Sequence, residues 1–416
     1  MIDEKSLEIL SEAIQFCNSI KLYGCIYTED ESECIEFDHF KTQNWKFEPN
    51  FDLKIEFCRE NDRDDDEDSY SKMNVKEFID LYSHINDYKI DKNYNVYGKN
   101  IALFLVSEAD NYTTAKFLQE PIDNWCHTTV NIDSDEYTVE FVSKRQVIFD
   151  ILLLKEKNYY NDLPVLEMDY FIKVSSNDKL DEKIAEELAE ALIFELSTNH
   201  KINLVHSTRM ENFDFYSVEI EKNLNVRMFP LLTGAGMSEV IKLFNKSIDI
   251  NDLDYKILAL TKVIEYIAPT VTREKLNTCI LQKLSSPRVL NPDADYVLEL
   301  QKTFEEHRQY QKDCDMIKVA ILEIVDFDEI KQIIPAFLHN QNKTSKENRQ
   351  EILQNLSQSI SDTRNYIAHA KANYTNKGLE CPESEKQIFI QILTIIARQF
   401  IRWFHNQSPS KRVLKS

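Results

Sequence analysis

The hydrophobic period of this chain changes near residue 230, which demands two architectures in one polypeptide. Before that point apolar residues tend to recur at every second position. Phe51-Asp52-Leu53-Lys54-Ile55-Glu56-Phe57 alternates cleanly, and residues 34–37 and 137–142 do so in part. A period of two puts one face of a strand on a core and the other toward solvent. The apolar runs at 101–106 and 147–154 suit strands buried on both faces, although run length does not separate such a strand from a buried helix. Within 178–198 the pattern becomes helical, with Leu180, Ile184, Leu188, Leu192 and Leu196 four apart, and alternation returns at 213–220. Beyond 237 everything reads as helix, in segments at 237–246, 254–267, 272–284, 293–326, 347–374 and 383–405. They are separated by Pro269, Pro287, Pro292, Pro335 and Pro382 or by polar stretches such as 340–345. The expected class is α+β, with a β-rich domain over 1–232 and an all-α helical bundle over 237–407.

The boundary falls at Thr233-Gly234-Ala235-Gly236. These glycines do not make a phosphate loop, because Lys242 lies too far on for the required Gly-Lys-Ser/Thr ending. A chain of 416 residues exceeds what one core usually serves, and with 5 Gly and 10 Pro it has little room for linkers. The acidic N-terminus lacks a secretory pattern and no apolar run approaches the roughly 18 residues needed to span a bilayer, so a cytoplasmic protein without membrane contact is expected. The eight cysteines are scattered with no Cys-x-x-Cys pair, and no metal or cofactor is expected. The acidic block at 62–68 reads as a solvated loop tip, lacking the glycine spacing of a calcium loop. The net charge of -22 weighs against a protein that coats nucleic acid but not against one that cuts it, since cutting needs only a local positive site.

One such site presents itself in the helix expected at 347–374. Its apolar stripe comprises Ile352, Leu356, Ile360, Ile367 and Ala370, with Thr363 between them. At about 100° per residue, Asn365 and His369 fall roughly 40° apart on the side away from that stripe. Arg364 falls roughly 140° from His369, so it has to curl round the helix or meet a histidine of another chain. These residue types suit metal-independent phosphodiester chemistry. A histidine passes protons near neutral pH, to or from an RNA 2′-hydroxyl or a leaving oxygen. A guanidinium matches the charge growing on a phosphorane, and Asn365 is placed to hold a phosphate oxygen or to orient the imidazole. One histidine is one proton-transfer group short; a symmetric dimer supplies the second.

Arg364-Asn365-Tyr366-Ile367-Ala368-His369, followed by an apolar helix at 383–405, resembles the Arg-x4-6-His motif of the HEPN superfamily, in which a polar residue commonly follows the arginine. The resemblance covers residues 310–407, the HEPN-like core. It implies a small helical bundle, homodimerisation across the motif helices and metal-independent endoribonuclease activity, often in toxin or antiviral roles. It gives Arg364 and His369 the catalytic roles and Asn365 that of the polar neighbour. A β-rich N-terminal domain joined to such a module resembles, in layout, ApeA-like antiphage proteins, with an N-terminal domain that senses a phage-derived trigger or restrains the nuclease. One departure stands out: HEPN toxins paired with nucleotidyltransferase antitoxins carry a tyrosine where this chain has Lys371, so silencing by nucleotidylation is not expected.

Arg398, Arg402 and His405 share a stripe on the last helix, and Lys411, Arg412 and Lys415 follow in a basic tail at 408–416. With Lys371, Arg398 and Arg402 are the expected RNA contacts; the competing reading is a solvated helix face and a frayed tail. His200 and His206 lack neighbouring carboxylates or cysteines in the sequence, and Ser207-Thr208-Arg209 lacks the glycines of a nucleophile elbow. The alternative to the enzyme is a non-catalytic HEPN-like scaffold or nucleotide-binding module.

Overall fold

The computed structural model describes residues 3–28, 34–40, 53–59, 71–108, 126–142, 146–157, 170–200, 202–206, 228–308, 312–338, 345–368 and 378–414. The acidic block at 62–68, the alternating stretch at 213–220 and Ser207-Thr208-Arg209 lie outside the described residues. The chain divides into two compact units, one of Met1–Leu192 with His200–Leu231 and one of Ile193–Asn199 with Leu232–Ser416.

The first unit mixes antiparallel sheets with helices. Helix α1 (Glu4–Ser19) starts where the Asp3 carboxylate accepts the Ser6 N–H at 2.7 Å, and it buries Leu10, Ala13, Ile14 and Cys17 at helical spacing. A four-stranded sheet follows in the order β2-β1-β3-β4, from β1 (Leu22–Tyr27), β2 (Cys34–Glu36), β3 (Lys54–Arg59) and β4 (Ser71–Asn74). Gly24 is required in β1, because a Cβ there would strike the Glu56 carbonyl of β3 and the Phe37 ring. Phe37, Phe57 and Phe78 pack ring on ring behind this sheet, Phe78 coming from α2 (Val75–Ser83).

The second sheet runs β5-β6-β7-β10-β9-β8, with β11 also on β7. Its strands are β5 (Lys89–Ile90), β6 (Val96–Tyr97), β7 (Ile101–Glu108), β8 (His127–Ile132), β9 (Asp135–Val142), β10 (Tyr170–Ser176) and β11 (Leu204–His206). Strand β7 is buried from Ala102 to Val106, as its continuous apolar run requires. The similar run at 147–154 is not a strand. It forms α3 (Val147–Lys157), with Val147 to Leu153 all buried and Phe149 edge-on to Phe171 at 4.9 Å. A helix buried all round and a strand buried on both faces leave the same apolar run, and the closing Lys155-Glu156-Lys157 favours helix. Helix α4 (Glu182–Glu195) lines three glutamates four apart with groups from the sheet: Glu182 binds Lys89 at 2.7 Å, Glu186 accepts the Tyr97 hydroxyl at 3.3 Å, and Glu190 meets His206 at 3.4 Å. His206 thus has a carboxylate beside it in space that the sequence alone did not place there.

The second unit is helical. Helix α5 (Met237–Ile248) begins at Gly236, whose φ of 78° suits glycine. It is followed by α6 (Leu253–Leu284), α7 (Ala294–Arg308), α8 (Asp313–Ile324), the short α9 (Phe327–Ile330), α10 (Ser345–Ala368) and α11 (Lys386–His405). Helix α6 packs against α5, α7, α8, α10 and α11. Pro269, expected to separate two helices, lies inside α6, and the helix runs through it. Proline forfeits one backbone hydrogen bond, but its neighbours Ile267, Ala268, Thr270 and Val271 are fully buried, and their burial outweighs that local loss. The span expected as one helical segment at 293–326 appears as α7 and α8, with 309–311 outside the described residues. Among the described residues no helix is long and apolar enough to cross a membrane.

The basic tail is not frayed through Leu414. Residues Pro409–Lys411 form a 3-10 turn, Lys411 binds Glu274 at 2.6 Å, and the Val413 N–H donates to Thr270 Oγ1 at 3.0 Å. Arg412 is buried and donates to the carbonyls of Ala235 at 2.6 Å, His405 at 2.8 Å and Gln407 at 3.1 Å, with its guanidinium 5.1 Å from the Phe404 ring centre. Replacing Arg412 by Ala deprives three carbonyls of a charged donor and is expected to cost about 3 kcal/mol, read as a lower urea midpoint for the helical unit. Arg412→Lys, lacking the planar fork, is expected to recover under half of that loss.

Candidate functional site

Helix α10 carries the motif arginine at its C-terminal end. Ile352, Leu353, Leu356 and Ile360 are buried, as are the small residues Ser357, Ser359 and Ser361, which let α10 sit close to α6 and α8. The stripe seen in the sequence is therefore broader than its large apolar members. Gln358 Nε2 donates to both oxygens of the buried Asp362, at 3.0 and 2.9 Å. Thr363, also buried, accepts the Cys381 N–H on its hydroxyl at 2.8 Å. The two positions that precede the motif arginine are thus held before the helix emerges.

Emergence is gradual. Arg364, Asn365 and Ile367 are half-buried, whereas Tyr366 is 44% exposed. The Arg364 guanidinium has a partner that the motif does not contain. Its Nε lies 3.1 Å from Glu265 Oε1 on α6, while its Nη1 donates to Asn365 Oδ1 at 3.0 Å. Arg364 and Asn365 are brought together; His369, Ala370 and Lys371 lie outside the described residues.

Arg398 and Arg402 reach other partners. Arg398, half-buried on α11, donates from Nη2 to the Ser197 carbonyl at 3.2 Å and rides 5.9 Å from the Phe244 ring centre. Burial holds its pKa below the ordinary arginine value, and Arg402 nearby adds to that. Arg402 donates to Asn199 Oδ1 at 2.6 Å and is otherwise exposed. Both arginines thus fasten α11 to the π-helical turn Leu196–His200. His405 is pushed below the usual histidine range by burial and by Arg412.

Two further groups near the motif were invisible to spacing arguments. Glu265 is a lone acid inside the apolar run Val263-Ile264-Glu265-Tyr266-Ile267-Ala268, and an acid in such a run signals a buried partner without saying which. Lys386, at the start of α11, is buried and held by Asp254 and Glu383, each at 2.5 Å. Burial alone would pull its pKa down; the two carboxylates keep it above the ordinary lysine value. Among the described residues no three His, Cys, Asp or Glu side chains gather as a metal site. Chemically, the described part of the site offers an oriented cation with an amide beside it, at the edge of solvent.

The chain matches no family model, no curated protein and no solved structure.

Burial, with Glu385 adding to it, pushes the Cys381 thiol up to about 12. The folded state then holds that proton more tightly than the unfolded chain, so this thiol costs no stability below its ordinary pKa of 9.0 and destabilises increasingly as pH rises toward about 12. At pH 8, peptide mapping after iodoacetamide is expected to find Cys381 unmodified while the exposed Cys34 and Cys314 react. Thr363→Val removes the acceptor of the Cys381 N–H, and is expected to cost about 1–3 kcal/mol in chemical denaturation and to speed Cys381 labelling.

Proposed function

We propose that this chain is a metal-independent endoribonuclease of HEPN type, acting as a homodimer in the cytoplasm in antiviral defence or a toxin-like role. The observation that supports this reading is the side-by-side placement of Arg364 and Asn365 at the half-exposed end of α10, within a helical unit. In the proposed reaction one His369 imidazole takes the proton of an RNA 2′-hydroxyl, and the freed oxygen attacks the adjacent phosphorus. The P–O5′ bond breaks, and the 5′-oxygen receives a proton from His369 of the second copy, leaving a 2′,3′-cyclic phosphate and a 5′-hydroxyl. Arg364 stabilises the charge gathered on the phosphorane oxygens, and Asn365 holds one of them or the imidazole. Lys371, Arg398 and Arg402 contact RNA, and the N-terminal unit senses a phage-derived trigger or restrains the nuclease.

A second reading is favoured by one observation. Arg364 already pairs with Glu265, and an arginine so engaged serves a non-catalytic scaffold or nucleotide-binding module equally well. The two readings part on purified protein in excess chelator. Under the first, wild type cuts RNA, and Arg364→Ala and His369→Ala each lower the rate by roughly a hundredfold or more while light scattering still finds a dimer. Intact RNA with wild-type protein, with and without phage components, would sink the enzyme and leave the scaffold.

A further inference from the structure

We infer that Glu265 is a positioning residue for Arg364, setting the guanidinium so that its remaining donors meet a phosphodiester. The catalytic consequence rests on the ribonuclease reading; the restraint itself does not. Two different elements meet two different nitrogens of one guanidinium: the Glu265 carboxylate of α6 forms an ion pair 3.1 Å from Nε, and Asn365 of α10 accepts a hydrogen bond from Nη1 at 3.0 Å. Two such contacts fix a planar group in orientation as well as in place. Among the described residues, Nη2 donates to none, and it is the donor left for an anion. The carboxylate side chain is 18% exposed and that of the arginine 33%, so the arginine keeps more contact with solvent than its partner does.

A free arginine loses rotamer freedom when it clamps a phosphate, and a partner that orders it beforehand removes that loss from the reaction. Preorganised donors act where charge develops in the transition state, so their benefit falls on kcat. The same carboxylate repels an approaching phosphate, which falls on KM. Glu265 therefore raises kcat and raises KM, whereas a purely structural residue would act through the amount of folded protein.

The test uses the full chain with a fluorescent single-stranded RNA and, in parallel, the 15N-detected Nε–Hε signal of Arg364, identified by its absence in Arg364→Lys. Glu265→Gln keeps an oxygen acceptor of the same reach and loses the charge; its kcat is expected within about threefold of wild type and its KM lower. Glu265→Ala, and Glu265→Asp should the alanine variant not fold, are expected to lower kcat by about tenfold to a hundredfold with an unchanged circular dichroism spectrum. The Nε–Hε signal is expected to exchange slowly in wild type and Glu265→Gln and fast in Glu265→Ala or Glu265→Asp. If wild type cuts no RNA yet this exchange pattern holds, the ribonuclease reading fails and the restraint stands. Fast exchange in wild type, or a folded Glu265→Ala or Glu265→Asp variant with kcat equal to or above wild type, overturns the inference.

Discussion

Most of the circumference of α6 must be covered along its middle, with Lys262 left exposed, and the helical unit is arranged around that requirement. Ile257, Leu260, Val263, Ile264, Ile267, Ala268 and Val271 are all buried, and no single neighbour can shield so many directions. Five helices therefore gather on α6, and the demand is strong enough to carry a proline through its interior. Glu265 is held within this apolar environment, where a carboxylate is tolerable only with a charged partner. The ion pair with Arg364 follows from the packing of α6 as much as from anything α10 does.

That dependence explains which parts of the molecule could be read from the sequence. The change of period near residue 230 is local information, and strands β3, β7 and β9 and helix α4 lie where it points. The run at 147–154 misled because burial on all sides erases periodicity, so only length and end residues distinguished helix from strand. Pro269 misled in the opposite direction, since a local breaker was outweighed by contacts made far away in the chain. At the site, the partly exposed position of Asn365 on α10 followed from helical geometry, which paired it with His369, outside the described residues, rather than with Arg364. Glu265 and the Thr363–Cys381 contact did not, because both join residues remote in sequence.

Charge tells a similar story. An acidic chain with a basic C-terminal stretch suggested cations available to a polyanion. Arg412 and Lys411 spend donors on backbone carbonyls and on Glu274, and Arg398 spends one on the Ser197 carbonyl, so that part of the positive charge near the C-terminus serves as hydrogen-bonding structure. Arg402, exposed beyond its contact with Asn199, keeps a share of its surface for other use. A cation counted in a sequence is an upper bound on charge offered to a partner.

The Thr363–Cys381 hydrogen bond has one more implication. It closes the chain between two buried residues eighteen positions apart. Closing such a loop depends on its length only logarithmically, about 0.6 kcal/mol for each doubling. The hydrogen bond between the pins therefore depends only weakly on how much chain lies between them, while the pins themselves are not replaceable at similar expense. Arg364 follows the first pin directly, so its place against Glu265 is set by the core and not by the length of chain that leads to the second.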